Sequence, residues 1–344
     1  NKKFLYSAFY GFTNENAMDF FEKEGLKLKV ERGNRVFPLS DRSADVLDTL
    51  RRSMKQAGVR VHLNTEVKKV LKNDTGFTLQ LADGTKDTAD KVIVATGGIS
   101  YESTGSTGDG YRFAEEFGLK VTECCPSLVP FNVREDWVKE LQGLSLKNVS
   151  ILIKDGKKKL FSDFGEMMFT HFGVTGPLIL TASSVCARKI REKEVKLYLD
   201  LKPALTKEQL DARILREFDA NANKQFRNVL PSFLPSKLVS VMYELCGIAP
   251  EKRIHDITKE ERERFLSCLK ELELTVTGLR GYNEAIITKG GVSVKEIDPS
   301  TMESKTVPGL YFIGEVLDLD AVTGGFNLQI AWSTAVAAAN AATE

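Results

Sequence analysis

The chain has 344 residues, 42% of them hydrophobic, which is enough to bury a sizeable core in two or three domains. Its 48 lysine and arginine residues are balanced by 47 aspartate and glutamate residues, so a net charge of +1 provides no long-range field toward nucleic acid or an anionic membrane. We therefore expect a small-molecule partner, with no nucleic acid and no membrane association.

The cysteine content and the lack of long apolar runs favour the cytoplasm. Five is an odd number of cysteines, and the neighbours Cys124 and Cys125 cannot easily bridge each other, so no disulfide framework is expected. No apolar run reaches the roughly 18 residues of a membrane span, and no secretory signal is visible. The chain begins at Asn1, without an initiator methionine, in a stretch that reads as the middle of a domain, so we also expect a segment upstream.

The first part of the chain alternates between helical and strand patterns. Apolar residues at helical spacing predict helices over residues 13–24 and 43–57. Strands are predicted at LKLKV, RVFPL, VRVHLN, EVKKVLKND and GFTLQL, and KVIVATGG is a buried strand that leads into a loop rich in glycine and serine. This alternation is typical of an α/β domain.

The pattern changes at CCPSLVPF, where Pro126 and Pro130 mark a boundary. Residues 126–204 predict an inserted β-rich unit, residues 205–273 an inserted helical bundle, and residues 274–290 a return strand. The α/β pattern then resumes over residues 291–344 and continues the core that began with residues 1–125. The helical segment carries 12 basic and 12 acidic residues, so it shows no basic surface for nucleic acid.

The stretch LYFIGEVLDLDAVTGGFNLQIAWSTA joins a strand, which ends at Gly314 and Glu315, to a helix predicted to start near Gly324 and Gly325. In an open parallel sheet, ligands bind beyond the carboxyl ends of the strands, where helix N-termini supply unpaired N–H groups. A flavin ring has a carbonyl edge that becomes negative on reduction, and glycines let this edge approach the backbone. The stretch therefore predicts a flavin site, although an ordinary strand-to-helix connection would also fit.

A second candidate segment is Ala95, Thr96 and Gly97 at the end of the strand KVIVATGG. Such a strand end occurs beneath the dinucleotide of many flavoproteins, and it is also a common structural ending. The later GSTGDG has its glycines in the reverse order of the G-x-G-x-x-G fingerprint, so we do not interpret it as a phosphate loop.

Taken together, the motifs resemble the bacterial NAD(P)/FAD-dependent oxidoreductases described as aminoacetone-oxidase-like or 3-dehydro-bile-acid-reductase-like flavoproteins. The similarity runs almost end to end through KFLYSAFYGF, ERGNRVFP, VIVATGG with STGSTGDGY, FTHFGVTGP, ITKGGVSVKEIDPSTMESK and GLYFIGEVLDLDAVTGGFNLQIAWST. The resemblance implies an α/β fold with a three-layer FAD-binding core, interrupted by a β-barrel-like unit and a helical bundle. The family's G-x-G-x-x-G segment is not part of this sequence.

The resemblance also implies which residues surround the flavin ring. Glu315, after Gly314, would hydrogen-bond the ribityl or diphosphate region of FAD. Arg35, in GNRVFP, would lie near the isoalloxazine. The residues implied to offer backbone N–H groups to the ring follow Gly324, and they are Gly325, Phe326, Asn327 and Leu328.

At the other end of the cofactor, the backbone of Val67 would read the adenine edge. Ala95, Thr96 and Gly97 would pass beneath the adenosine. Because no second dinucleotide fingerprint is present, NAD(P)H would dock only transiently as a donor, or oxygen would be the acceptor.

His171, in FTHFGVTGP, is the candidate catalytic residue, because a histidine titrates near neutrality and can deliver a proton as hydride moves. The alternative is a histidine that fills the junction between insertion and core. Tyr101 and Asp318 are rival pocket groups. The other histidines, His62 and His255, are far away in sequence, so no metal site is expected.

The sequence thus predicts an FAD-dependent oxidoreductase that transfers hydride between a small organic substrate and flavin N5. Two alternatives stay open. One is a flavin-containing binding or regulatory module that engages RNA or protein through the helical insertion. The other is a flavoprotein with group-transfer chemistry.

Overall fold

The computed structural model describes residues 1–343, which form two compact units. The first unit comprises Asn1–Cys125 together with the segment that starts at Ile287, and the second comprises Pro126–Ile286. No helix among residues 1–343 is both long and apolar enough to cross a bilayer.

The helices and strands are numbered in chain order. The helices are α1 (Tyr6–Gly11), α2 (Asn14–Lys23), α3 (Ser43–Gln56), α4 (Asp109–Glu116), α5 (Pro177–Glu192), α6 (Lys207–Ala220), α7 (Phe226–Val229), α8 (Ser236–Cys246), α9 (Lys259–Lys270) and α10 (Phe326–Thr343). The strands are β1 (Leu28–Glu31), β2 (Arg35–Pro38), β3 (Val67–Lys72), β4 (Phe77–Leu81), β5 (Lys86–Ala89), β6 (Val92–Val94), β7 (Val121–Ser127), β8 (Phe131–Val133), β9 (Ser145–Asp155), β10 (Lys158–Phe169), β11 (Gly173–Thr175), β12 (Val195–Asp200), β13 (Leu272–Leu279), β14 (Ile287–Val292) and β15 (Leu310–Phe312).

A capping box explains where α2 starts. At α2, Thr13 Oγ1 accepts from Asn16 N at 3.2 Å, and Asn16 Oδ1 accepts from Thr13 N at 2.9 Å. This reciprocal pair satisfies two N–H groups that have no partner inside the helix. The predicted helices over residues 13–24 and 43–57 are confirmed to within one residue at each end.

One strand prediction in this region is wrong. The segment VRVHLN, residues 59–64, alternates apolar and polar residues but forms no strand. Val59, Val61 and Leu63 are 52%, 58% and 78% exposed, so the apolar side of the alternation does not face a core. Alternation produces a strand only where a neighbouring strand pairs with it and one face is buried.

The first unit is built around a parallel pair of strands. β6 and β15 pair in register from Leu310 with Val92 to Phe312 with Val94, and β3, β4 and β5 form an antiparallel sheet. One hydrophobic cluster joins both sheets to α4 and α10, and Phe77 and Phe312 are completely buried in it. Further pairs are β1 with β2 and β7 with β14.

The second unit contains a closed barrel with the strand order β10-β11-β8-β13-β12-β9. The barrel and α5–α9 share one hydrophobic cluster, in which Phe226 and Phe265 contact edge to face at 5.5 Å between ring centroids. The barrel and the helices confirm the predicted β-barrel-like and helical insertion. The last barrel strand begins at Leu272, before the predicted start at residue 274, because Leu272 already pairs with Leu199 of β12.

Candidate functional site

The two motifs that the sequence analysis singled out meet at one edge of the parallel pair. β6 runs into Ala95–Gly97, and β15 runs into Gly314 and Glu315. Ile313 N continues the pairing and donates to Val94 O at 3.1 Å. Because parallel strands end on the same side, both motifs lie together at the carboxyl edge, where ligands of such sheets bind.

Thr288, at the start of β14, links these strand ends. Its backbone N–H donates to Glu315 Oε1 at 2.6 Å. Its hydroxyl accepts from the backbone N–H groups of Ile99 at 2.8 Å and Ser100 at 3.1 Å, and Thr288 is completely buried. Sequence reasoning missed this residue, although it lies within the quoted motif ITKGGVSV.

The carboxyl group of Glu315 is half-buried, and its burial raises its pKa, an effect that the hydrogen bonds from Thr288 partly oppose. Glu315 Oε1 already accepts the hydrogen bond from Thr288 N. Within residues 1–343, no hydrogen bond is formed by Oε2, which leaves this oxygen for a hydroxyl donor of a ligand.

The backbone of the loop after β6 and of α4 approaches these groups closely. A Cβ on Gly98 would lie 2.3 Å from Thr288 Oγ1 and 2.8 Å from Glu315 Oε1. A Cβ on Gly110 would lie 2.3 Å from Thr96 Oγ1. Both positions therefore require glycine because there is no room for a Cβ, and not because of an unusual backbone conformation.

The hydroxyl of Thr96 is the main unpaired polar group at this edge. Thr96 Oγ1 is buried and has no hydrogen-bond partner among residues 1–343. Leaving such a group without a partner costs about 1–3 kcal/mol, so it marks a position where a ligand can supply the missing hydrogen bond.

Val67 is connected to the same edge through α4. It opens β3, which lies at one edge of the sheet β3-β4-β5 and pairs with β4, with Val67 opposite Leu81. The next residue, Lys68, accepts a hydrogen bond at its carbonyl from Arg112, which also donates to Asp109 at 2.8 Å. The Arg112 guanidinium holds the pKa of the Asp109 carboxyl below its usual range. The start of β3 is thereby held beside the first turn of α4.

The start of α10 presents backbone donors and apolar surface. Gly324 and Gly325 have φ angles of 124° and 89°, and a Cβ on Gly325 would meet no atom within 4 Å. The first backbone bond of the helix runs from Gln329 N to Gly325 O at 3.0 Å, so the N–H groups of residues 326–328 precede the helical ladder. Phe326 and Leu328 are 55% and 58% exposed. A flat ring with hydrogen-bond acceptors at one edge fits this arrangement.

The side chain of Asn327 holds the loop in front of this helix. Its Oδ1 accepts from Ala321 N at 2.9 Å, and its Nδ2 donates to Ala321 O at 3.0 Å. In the same loop, both carboxylate oxygens of Asp320 accept hydrogen bonds from Lys289 Nζ at 2.9 Å. Asn327 therefore contributes its side chain to loop geometry, which the sequence analysis did not anticipate.

Two further predicted residues, Arg35 and His171, are exposed. Arg35 lies on the exposed β1–β2 hairpin, where its Nε donates to Arg32 O at 3.4 Å. His171 belongs to the other unit and is exposed at the tight turn between β10 and β11, which is closed by a bond from Thr170 N to Gly173 O at 2.8 Å. The roles predicted for Arg35 and His171 stay predictions.

The rival candidates Tyr101 and Asp318 both belong to the first unit. Tyr101 has a φ of 54° and is 46% exposed, and Asp318 accepts from Asn1 Nδ2 at 3.3 Å. Among residues 1–343, no group of three or more histidine, cysteine or acidic side chains is arranged to hold a metal ion.

Comparison with known proteins places the geometry in a family. The family model of the HI0933-like protein Rossmann domain matches residues 1–341. The chain is 32% identical over 339 residues to a ribosomal RNA dihydrouridine synthase of Escherichia coli (strain K12), which covers 98% of this chain and 82% of that protein. It is 31% identical over 329 residues to a 3-dehydro-bile acid delta(4,6)-reductase of Clostridium scindens, which covers 95% of this chain and 80% of that protein. A ribosomal RNA dihydrouridine synthase of Haemophilus influenzae is 33% identical over 345 residues, with 98% and 82% covered.

Proposed function

This chain belongs to the family of HI0933-like Rossmann-domain flavoprotein oxidoreductases, and we propose that it is an FAD-dependent reductase of carbon–carbon double bonds conjugated to a carbonyl. The observation that carries the cofactor assignment is the buried hydroxyl of Thr96, which has no partner among residues 1–343, at the edge where β6 ends and β15 leads into Glu315. These groups and the open start of α10 fit a dinucleotide cofactor.

Each part of this edge has a distinct task in the proposal. Thr96 and the glycines around it would lie under the adenosine, and Glu315 Oε2 would accept a hydrogen bond from a hydroxyl of the ribityl chain. The N–H groups at the start of α10 would donate to the ring edge, where the helix dipole would stabilise negative charge. Phe326 and Leu328 would cover apolar ring surface. When bound, FAD supplies hydride transfer at N5.

The substrate class follows from what the named relatives have in common. Forming dihydrouridine saturates the double bond of a uracil ring, which is conjugated to a carbonyl. A delta(4,6)-reductase of a 3-dehydro bile acid saturates a double bond in conjugation with a ring ketone. In a double bond conjugated to a carbonyl, hydride adds to the β carbon and a proton adds to the α carbon, because the carbonyl stabilises the intermediate charge. We propose the same reaction for this chain, with NAD(P)H as the donor of the two electrons.

The proton has to come from a side chain or from water, and His171 is the proposed donor. The substitution His171→Asn should slow the oxidation of reduced flavin by substrate and leave the reduction of flavin by NAD(P)H unchanged. The matched control is His255→Asn, because His255 is an exposed histidine of the same unit, held by Ala222 O at 2.9 Å. Equal behaviour of the two variants across pH 5–9 would remove His171 from the mechanism.

The central experiment is an anaerobic absorbance titration of the natural protein with FAD bound. NADH or NADPH should bleach the flavin band, and a uridine-containing RNA or a steroid with a conjugated ketone should restore it. Bleaching by either nicotinamide followed by reoxidation with one of the two substrates supports the proposal. Flavin that binds but is never reoxidised by such substrates favours the binding-module or group-transfer alternative, and failure to bind flavin at all contradicts the proposed site.

A further inference from the structure

A row of lysines crosses the outer face of the barrel. In the paired strands β10, β9 and β12, Lys159 lies opposite Lys154, and Lys154 lies opposite Lys196. Residues that are directly opposed across antiparallel strands project to the same face. Ile153, the neighbour of Lys154, is completely buried inside the barrel, so Lys154 and its two partners point outward.

The turn between β9 and β10 and the end of α5 extend this row into a basic surface. Residues 154–159 and 188–196 together contain nine lysine or arginine residues and three acidic residues. Asp155 ties the two segments together, because it pairs with Lys193 at 2.7 Å and Lys189 at 3.7 Å. We call this set of residues, 154–159 with 188–196, the basic surface.

Several cations of the basic surface have no internal partner. Lys157, Lys158, Lys159 and Arg188 are exposed, and no acidic group lies within ion-pair distance of them among residues 1–343. Basic residues near the end of α5 stabilise the negative end of that helix, so they have a structural explanation. The hairpin lysines lack such an explanation, and like charges placed side by side on a sheet are destabilising.

Two aromatic side chains share this face, Tyr198 beside Lys154 and Phe164 further along the strands. Lys154 Nζ lies 5.3 Å from the ring centroid of Tyr198. Tyr198 is opposite Leu152, and Phe164, which is 57% exposed, is opposite Ser150. Leu152 and Ser150 alternate with buried residues of β9 and therefore face outward with Lys154. Lysines and flat side chains on one face are the combination that binds unpaired bases and the backbone that joins them.

We propose that this face binds RNA, with the lysines on phosphates and with Phe164 and Tyr198 stacking on unpaired bases. The neutral overall charge and the balanced count over residues 205–273 had predicted no nucleic acid, but neither number reports where charge is concentrated. The basic residues are contributed by barrel strands and by the end of α5, outside residues 205–273. An anionic membrane would use the lysines without needing the aromatic pair, which is why RNA is the partner we favour. This inference rests on the proposed function, in which uridine-containing RNA is one of the two substrate classes, and it adds the surface that would hold such an RNA.

The test is fluorescence anisotropy with a labelled RNA hairpin that has a uridine-rich loop, over a series of salt concentrations. One variant combines Lys157→Ser, Lys158→Ser and Lys159→Ser. Its matched control combines Lys207→Ser, Lys224→Ser and Lys259→Ser, three exposed lysines of the same unit that lie outside the basic surface. Both variants lose the same charge.

We expect the hairpin variant to bind roughly tenfold more weakly, and the slope of log K against log salt to shrink by about 2–3. The control should keep both values close to those of the unchanged protein. The substitution Phe164→Ala should weaken binding about fivefold or more without changing the slope, because stacking does not release counterions.

If the two lysine variants weaken RNA binding equally, the basic surface is not the RNA-binding site, because only the total charge would then matter. Binding to vesicles containing phosphatidylserine in preference to the hairpin would also overturn it. Flavin binding and bleaching by NAD(P)H are measured on the same variants. Normal flavin behaviour without RNA binding rejects this inference alone, whereas RNA binding without flavin rejects the proposed function alone.

Discussion

The backbone N–H of Thr288 donates to Glu315 Oε1 across 2.6 Å, and this contact joins the start of β14 to the end of β15. The hydroxyl of the same threonine accepts from Ile99 and Ser100, in the loop that follows β6. One buried residue thus fixes both strand ends of the candidate site. Its substitution should affect stability and ligand affinity together.

Thr288→Val should destabilise the first unit by about 2 kcal/mol or more, because two N–H groups in the site lose their acceptor. Thr288→Ser keeps the hydroxyl and should cost only about 1 kcal/mol for the lost methyl group. Urea unfolding can follow this unit through Trp332, which lies 5.2 Å from Phe21, in a Trp137→Phe background that removes the tryptophan of the other unit.

Flavin affinity distinguishes a positioning role from a purely structural one. The serine variant should bind FAD as the unchanged protein does, and the valine variant should bind it more weakly even at temperatures where it is fully folded. Two variants of equal stability and equal affinity would show that the hydroxyl of Thr288 positions nothing.

The pH dependence of stability should carry the signature of Glu315. Burial raises its folded pKa above the ordinary value of 4.5, so over the interval between the two values the folded protein holds a proton that the unfolded chain has lost. The free energy of unfolding therefore falls as the pH rises from about 4.5 through the folded pKa, and then levels off. Glu315→Gln should flatten this fall, since an amide does not ionise.

A carboxyl group shifted in the other direction provides the control. The ammonium of Lys252, which lies 2.7 Å from Glu261, lowers the pKa of that carboxyl. Glu261→Gln should therefore remove a stability that is present above pH 4.5 and is lost as the pH falls, observed through Trp137. Parallel slopes for the Glu315→Gln variant and the unchanged protein would contradict the burial of Glu315.

Thr96→Val should leave the stability of the protein without ligand unchanged or slightly higher, because the replaced hydroxyl has no partner in residues 1–343. The same change at Thr334 should cost about 1–2 kcal/mol, because Thr334 Oγ1 accepts from Gly314 N at 3.0 Å and donates to Ile330 O at 2.7 Å. If the Thr96 hydroxyl binds FAD, flavin affinity should fall in Thr96→Val alone. Unchanged affinity would remove Thr96 from the site.

Gly110→Ala should be destabilising by about 1–3 kcal/mol, although alanine is the better helix former, because its Cβ would lie 2.3 Å from Thr96 Oγ1 and 2.6 Å from a methyl carbon of Val316. Gly11→Ala, at the end of α1, has open space and should be neutral or stabilising by up to about 1 kcal/mol. Thermal unfolding of both variants measures these two changes in stability. A stabilised Gly110→Ala protein would show that α4 is not packed against Thr96.

The cysteines should be slow to react in the folded protein. Burial raises the pKa of Cys186 and of Cys246 to about 11, and Cys125 is completely buried. At pH 8 only about one in a thousand of the Cys186 and Cys246 thiols is therefore ionised to the reactive thiolate. A thiol-specific colour reagent should therefore label Cys125, Cys186 and Cys246 only after urea is added, when all five cysteines react. Rapid labelling of any of the three would contradict the packing around it.

Much of the fold could be predicted because its signals are local. The box of Thr13 and Asn16 fixes the start of α2 from residues three apart, and the turn between β9 and β10 lies within one short segment. The glycine-rich start of α10 was predictable for the same reason. By contrast, residues 59–64 showed alternation with no strand to pair with, and a pattern within one segment cannot report whether a partner exists.

The sequence by itself determined the class of the chain, the insertion and the two motifs at the strand ends, since each depends on neighbours along the chain. Only the tertiary structure decided which groups those motifs meet. The bond from Ile99 N to Thr288 spans 189 positions, and the lysine row depends on the register of three strands of the barrel. Hydrogen bonds and charge repulsion act over a few ångströms in space, whatever the separation along the chain, so such sites appear only when the strands are paired.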